Sequence, residues 1–152
     1  MKEHKGYGRV RDEGDKITVT YKQFDDFSVH GAKEVEIVVS DFDKAVELLR
    51  CLGAGTYAMS YQESRRETWQ LGDVEVVIDE WPWLDPFIEI EGSSEEAVKN
   101  AANRLGFDWR KALTGSIMAM YWYTYPEGDQ SKNVGYLDRV ALGEPLPDMF
   151  KG

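Results

Sequence analysis

The chain has 152 residues, and its 28 acidic side chains outnumber its 18 basic ones, which gives a net charge of −10. A chain of this length suits one domain with its own hydrophobic core. The hydrophobic content of 42% excludes a disordered protein. The acidic balance argues against a general nucleic-acid-binding protein, because such proteins neutralise phosphates with many basic side chains. We therefore predict a single folded domain over residues 1–152.

The cysteine content and the hydropathy pattern favour a cytoplasmic protein. Cys51 is the only cysteine, so no internal disulfide can form, which suits a reducing compartment. No apolar run approaches the roughly 20 residues of a membrane span, and no signal-peptide pattern opens the sequence. We expect a cytoplasmic protein that contacts neither membranes nor nucleic acids.

Alternation of polar and apolar residues predicts strands in the first 40 residues. Residues 7–11 place two arginines on one side, and residues 17–22 place two threonines and a lysine on one side. The turn sequence at 12–15 joins these runs, which predicts an antiparallel hairpin. Residues 33–39 continue the alternation, with two glutamates on one face and three aliphatic residues on the other.

The spacing then predicts two helices with further strands between them. The first helix follows the N-cap Asp41 and ends near Gly53, and the second runs over 94–105. Between them, residues 57–69 and 74–80 form a predicted hairpin. The prolines of 81–86 interrupt the strand pattern, which resumes at 87–91. Residues 115–125 are compatible with a strand or a short helix, and the role of residues 115–152 is left open.

At least five of these strands carry one aliphatic face and one charged face, and two interpretations are open. The charged faces either meet water, as in many antiparallel sheets, or they line the inside of a barrel whose helices pack outside. A polar lumen of the second kind would bind a polyanion together with a divalent cation. Guanidinium groups hold phosphate oxygens, and paired carboxylates hold Mg²⁺ or Mn²⁺.

Three motifs resemble the CYTH domain family, and together they cover about residues 7–113. Residues 8–22 are similar to its R-x-R … T-x-K hairpin. Residues 64–69 resemble its K-x-R-x-x-W strand, with Ser64 in place of the usual lysine. Residues 79–92 resemble its D … P … F-x-E-I-E-G segment. This family comprises class IV adenylate cyclases and thiamine-triphosphatase-like enzymes, also called triphosphate tunnel metalloenzymes.

The resemblance implies an α+β fold, with an antiparallel β-barrel or tunnel and flanking helices. The family tunnel has roughly eight strands, and about six are expected here. The implied triphosphate-binding residues are Arg9, Arg11, Lys22 and Arg66. The implied catalytic and metal-binding residues, which would hold Mg²⁺ or Mn²⁺, are Asp79, Glu89 and Glu91. Glu34 and Glu36 lie on a strand where the family often keeps an inward carboxylate, and they are possible additional site residues.

The implied activity is metal-dependent processing of a small-molecule triphosphate by a triphosphatase, which is a hydrolase, or by an adenylate cyclase. Candidate substrates are tripolyphosphate, ATP and thiamine triphosphate. Phosphoryl and nucleotidyl transfer depend on positioning and charge neutralisation more than on a nucleophilic side chain. Two alternatives stay open: a catalytically inactive polyphosphate- or nucleotide-binding module, and an oligomeric scaffold.

One family motif has no counterpart in this sequence. The family opens with an E-x-E-x-K strand, whereas residues 1–5 contain a single glutamate. We therefore expect a domain that is N-terminally truncated relative to the family. Such a domain would have an open sheet edge, which favours pairing with another copy of the chain.

Overall fold

The structure is a computed structural model that describes residues 5–24, 32–53 and 59–152. Within it the chain forms two compact units, residues 1–57 and residues 58–152. The start of the sequence, where the E-x-E-x-K motif is expected to be missing, and residues 57–58, where a hairpin is predicted to begin, lie outside the described residues. No helix in the described ranges is long and apolar enough to cross a bilayer.

The first unit contains a three-stranded antiparallel sheet in the order β1-β2-β3. Its strands are β1 (Lys5–Asp12), β2 (Ile17–Phe24) and β3 (Ala32–Val39), and helix α1 (Phe42–Cys51) follows. These elements agree with the strands and the helix that the alternation and spacing predict. The sheet therefore carries the predicted R-x-R … T-x-K hairpin on two adjacent strands.

Local sequence explains the turn and the helix of this unit. Gly14 donates its backbone N–H to the Asp12 carboxylate at 2.9 Å. Gly14 has a φ of +89°, a conformation that glycine adopts without the steric cost of a Cβ atom. Asp41 accepts a hydrogen bond from the backbone N–H of Lys44 at 3.0 Å and caps α1. These contacts fix the hairpin and the point at which the helix begins.

The second unit contains another three-stranded antiparallel sheet, in the order β5-β6-β7. Its strands are β5 (Arg65–Leu71), β6 (Val74–Glu80) and β7 (Phe87–Gly92), and helix α2 (Glu95–Arg104) follows. The helix packs its alanines on the aliphatic face of the sheet. The buried residues of this core are Val74, Val76 and Ala101, with Leu71, Ile90 and Ala97 packed against them.

One predicted strand is divided in the structure. The predicted strand 57–69 is replaced by β4 (Tyr61–Gln62) and by β5, which begins at Arg65. Strand β4 pairs in parallel with β8 (Arg139–Val140). Tyr61 donates its backbone N–H to Asp138 O at 3.0 Å, and this long-range pairing gives no periodic signal in the sequence.

The residues beyond the second helix form a second hydrophobic core around α3 (Ile117–Thr124). The segment 115–125, whose sequence is compatible with a strand or a short helix, therefore forms a helix over most of its length. The Phe150 ring lies 4.9 Å from the ring centroids of both Tyr121 and Tyr125. The buried residues of this core are Met118, Tyr121, Val134, Val140, Met149 and Phe150.

This C-terminal core holds the loop that joins β6 to β7. Tyr121 donates its hydroxyl to Pro82 O at 3.0 Å, and the Tyr125 hydroxyl donates to Trp83 O. Trp83 has a φ of +65° and donates its indole N–H to Glu144 O at 2.7 Å. The segment 115–152, whose role the sequence left open, thus fixes a strained loop between two strands that carry candidate site residues.

The Tyr121 hydrogen bond gives a direct test of this role. Tyr121→Phe is expected to lower the free energy of unfolding by about 1 kcal/mol, because it removes the donor to the Pro82 carbonyl. Tyr123 is 73% exposed, so Tyr123→Phe is the matched control and should change stability by less than about 0.5 kcal/mol. Urea unfolding of both variants measures the difference, and equal midpoints would contradict the assigned role.

The fold is α+β, as predicted, with eight strands and three α-helices in the described part of the chain. The two three-stranded sheets are antiparallel, and β4 and β8 form a short parallel pair. The strands of the described residues form three separate hydrogen-bonded sheets and not one closed ladder. This arrangement agrees with the prediction of an incomplete tunnel.

Candidate functional site

The sheet of the first unit brings its predicted site residues onto one face. The pairing of the three strands places Arg9 opposite Thr20 and Thr20 opposite Glu36. In the same way, Lys22 of β2 lies opposite Glu34 of β3. Directly paired residues of antiparallel strands project from the same side, so these groups share one polar face.

Acidic and basic side chains of this face contact one another. The Thr20 hydroxyl donates to a Glu36 carboxylate oxygen at 2.8 Å and accepts from Arg9 Nη2 at 3.5 Å. Lys22 Nζ lies 3.0 Å from a Glu34 carboxylate oxygen. Glu34 and Glu36 therefore lie beside the predicted basic residues and balance part of their charge.

Burial in this sheet follows the position of the strand. Thr18 and Thr20 of the central strand β2 are completely buried. On the edge strand β3, Val38 of the polar face is 69% exposed and Val35 of the opposite face is 64% exposed. An inward orientation of the polar face therefore stays a prediction. The opposite face contacts α1 at β1, where a Leu49 methyl lies 3.5 Å from the Cβ position of Gly8.

The sheet of the second unit also gathers its predicted residues on one face. Arg66 of β5 pairs with Asp79 of β6. The pairing of β6 with β7 puts Glu89 and Glu91 on that same side. Helix α2 covers the opposite, aliphatic side. Two of the three motifs that the family resemblance singled out, at 64–69 and 79–92, thus lie on three neighbouring strands.

Arg66 is held by a bidentate ion pair at the centre of this face. Its Nε donates to Asp79 Oδ1 at 2.8 Å, and its Nη2 donates to Asp79 Oδ2 at 2.6 Å. The same Nη2 donates to Glu89 Oε2 at 2.9 Å. Asp79 is completely buried. The hydrogen bonds to Asp79, followed by the charges of Asp79 and Glu89, raise the pKa of the Arg66 guanidinium. The pair fixes the direction of the guanidinium group.

Glu89 lies in a crowded acidic environment. Burial raises the pKa of its carboxyl group above the usual 4.5, and the negative charges of Asp79 and Glu91 raise it further. The charge of Arg66 acts in the opposite direction. Arg66 Nη2, 2.9 Å from a Glu89 carboxylate oxygen, is the cation that partly balances this negative charge.

The three predicted metal ligands differ in whether their carboxylate oxygens already have partners. Both oxygens of Asp79 accept hydrogen bonds from Arg66, so a metal-binding role for Asp79 stays a prediction. Glu89 and Glu91 lie on the same face of β7, and their metal-binding role likewise stays a prediction. Among the described residues, no group of three or more acidic, histidine or cysteine side chains is arranged to hold a metal.

The buried threonines were not among the predicted site residues. The alternation placed Thr18 and Thr20 on the face that carries Lys22, so their position was readable from the sequence. Their burial could not be predicted, because threonine in a strand is also common on solvent-exposed faces.

Two antiparallel sheets, each with charged side chains on one face and a helix on the other, define an α+β protein in which each sheet has one polar face. Residues 1–113 match the CYTH domain, so the chain belongs to the CYTH domain family. This family of triphosphate tunnel proteins binds triphosphate substrates and generally depends on divalent metal ions.

A comparison with solved structures agrees with this fold. A conserved hypothetical protein from Pyrococcus furiosus is 24% identical, with a TM-score of 0.56. The similarity covers 76% of this chain and 74% of that one, and it shows a shared fold. A search of the curated proteins found no match.

Proposed function

We propose that the chain binds a triphosphate-bearing small molecule and cleaves it with the help of Mg²⁺ or Mn²⁺. The observation that carries the proposal is that the strand register groups the predicted basic and acidic residues on one polar face of each sheet. Guanidinium and ammonium groups on such a face are the donors that bind phosphate oxygens.

The basic side chains would hold the phosphate oxygens. In the first unit this role falls to Arg9, Arg11 and Lys22. In the second unit Arg66 uses Nε and Nη2 for its carboxylate partners, so Nη1 is the part of its guanidinium that would bind phosphate. Asp79 would act as a positioning residue, because it holds Arg66 in one orientation before the ligand arrives.

Glu89 and Glu91 would hold the divalent cation. When bound, the cation would neutralise charge on the phosphate oxygens and make the phosphorus more open to attack. The hydrogen bond from Arg66 to Glu89 ties the carboxylates to the phosphate-binding group. A change at either carboxylate is therefore expected to affect chemistry more than binding.

A binding module that holds the polyphosphate without cleaving it is the second candidate. The observation in its favour is that Asp79 is fully engaged by Arg66, which leaves two carboxylates where the family resemblance implies three. The two candidates share the phosphate-binding residues and differ in whether phosphate is released. An assay of binding together with release therefore separates them.

The experiment measures tripolyphosphate binding by calorimetry and phosphate release with Mg²⁺, with Mn²⁺ and with EDTA. Saturable binding with metal-dependent release is expected. Lys22→Met is expected to weaken binding at least roughly tenfold, because a hydrogen bond to a charged group contributes about 1.5–3 kcal/mol. Lys16, which pairs with Glu13 in the turn after β1, provides the matched control Lys16→Met. Binding that does not saturate, or equal affinities for both variants, would contradict the proposal.

A further inference from the structure

Thr18 carries a polar atom that the fold itself does not use. Its hydroxyl oxygen is buried and finds no hydrogen-bond partner within the described ranges. The residue as a whole has no exposed surface. A buried hydroxyl without a partner lowers stability, and folded proteins retain few such groups. The presence of one on the polar face of the first sheet therefore calls for a partner from outside the chain.

The neighbouring threonine shows that another buried hydroxyl group on this strand does have hydrogen-bond partners. Thr20 lies two residues further along β2, on the same face and with the same complete burial. Its hydroxyl bridges Arg9 and Glu36, so its hydrogen bonds are made within the protein. Valine would fill the Thr18 position with nearly the same shape and without a polar atom. Packing alone therefore does not account for the hydroxyl.

Two arginines lie beside Thr18 on β1. Thr18 pairs directly with Arg11 of β1 on one side and with Val38 of β3 on the other. Arg11 Nη1 also lies 4.0 Å from Glu13 Oε1. Arg9, on the same face of β1, has a buried Nε that also lacks a hydrogen-bond partner among the described residues. Both unpartnered groups can donate a hydrogen bond, and phosphate oxygens only accept them at neutral pH. The two orphaned donors and the Arg11 charge thus suit the same ligand.

We propose that Thr18 is a phosphate-binding residue whose hydroxyl donates a hydrogen bond to an oxygen of the bound triphosphate. Arg9 Nε supplies a second donor to the same anion. This inference rests on the proposed function. It adds a threonine to the arginine, lysine and glutamate residues already proposed to bind the triphosphate and its metal ion. A hydroxyl adds a directional donor without adding charge, so it helps to select a phosphate in one position.

The test compares Thr18→Val with wild type in two measurements. Tripolyphosphate affinity is expected to fall roughly tenfold, because one hydrogen bond to a charged oxygen is lost. The Tm of the ligand-free variant is expected to stay level or to rise by roughly 2–4 °C, because an unpartnered buried hydroxyl is replaced by a methyl group. Thr18→Ser, which keeps the hydroxyl, is expected to bind more tightly than Thr18→Val.

Thr20→Val is the matched control, with the same substitution on the same strand and face. It removes the bridge between Arg9 and Glu36, so it is expected to lower the Tm. A lowered Tm for Thr18→Val would overturn the inference, because it would show that the fold uses this hydroxyl. Wild-type affinity in Thr18→Val, together with weakened binding in Lys22→Met, would overturn the inference alone. Absence of binding by the wild-type protein would overturn the proposed function and this inference with it.

Discussion

Arg66→Met is expected to lower the free energy of unfolding by about 3 kcal/mol and to remove most of the affinity for tripolyphosphate. The stability loss follows from Asp79, which is completely buried and would keep a charge without its partner. Breaking a buried ion pair typically lowers stability by about 3–5 kcal/mol. The lower end applies because the Arg66 side chain is itself 37% exposed.

Arg65 provides a matched control for this substitution. It is the adjacent residue, it pairs with Glu80 at 3.2 Å, and its side chain is 74% exposed. Because it lies on the opposite face of β5, Arg65→Met should change stability by less than about 1 kcal/mol and leave binding intact. Denaturant unfolding and calorimetry with tripolyphosphate measure both effects. Similar results for the two variants would show that Arg66 has no special role.

A double variant separates the structural effect from the binding effect. Arg66→Met combined with Asp79→Leu replaces the whole ion pair with apolar side chains, which is often neutral or stabilising. Most of the lost stability is therefore expected to return, while tripolyphosphate affinity stays low. Recovery of binding in the double variant would mean that Arg66 acts only through the fold.

The period-two alternation of the sequence was sufficient to predict the two faces of each sheet. The helix N-caps were also predicted correctly, since Asp41 and Ser94 both accept the backbone hydrogen bonds expected of N-cap residues. Element α3 was ambiguous because its residues are apolar nearly all round, and such a segment lacks the periodicity that separates helix from strand. The short pair β4–β8 gave no signal, because it joins residues far apart in the chain.

The site residues were predicted better than their partners. The family motifs located Arg66, Asp79 and Glu89. They implied that the arginine binds phosphate and that the carboxylates bind metal, and they did not predict that these side chains contact each other. Register is what brings Arg66 and Asp79, 13 residues apart, into one bidentate pair. Sequence spacing alone does not specify which charged groups of a shared face will contact each other. The same limit applies to Thr18, whose burial depends on packing and not on its neighbours in sequence.

Glu91→Gln is expected to reduce metal-dependent phosphate release at least roughly a hundredfold while tripolyphosphate still binds. A metal ion that stabilises transition-state charge contributes several kcal/mol, and the rate falls tenfold for each 1.36 kcal/mol lost. Glu91 is exposed at the end of β7, so the fold should tolerate the change. The measurement is phosphate release from tripolyphosphate over a titration of Mg²⁺ or Mn²⁺.

Glu89→Gln is expected to show the same loss of release together with weaker binding, because Glu89 also accepts a hydrogen bond from Arg66. The control is Glu80→Gln, which removes an exposed carboxylate from the opposite face of the same sheet and should leave release unchanged. Normal release by both the Glu89 and the Glu91 variant would show that the carboxylates are assigned wrongly.

The wild-type protein in the same titration distinguishes an enzyme from a binding module. A cation that binds Glu89 and Glu91 in the folded protein only should raise the Tm even where no phosphate is released. Metal stabilisation that is lost in Glu91→Gln, with no release by wild type, would support a polyphosphate-binding module. Metal stabilisation accompanied by release would support cleavage. The two carboxylates on β7 would then suffice where the family resemblance implies three.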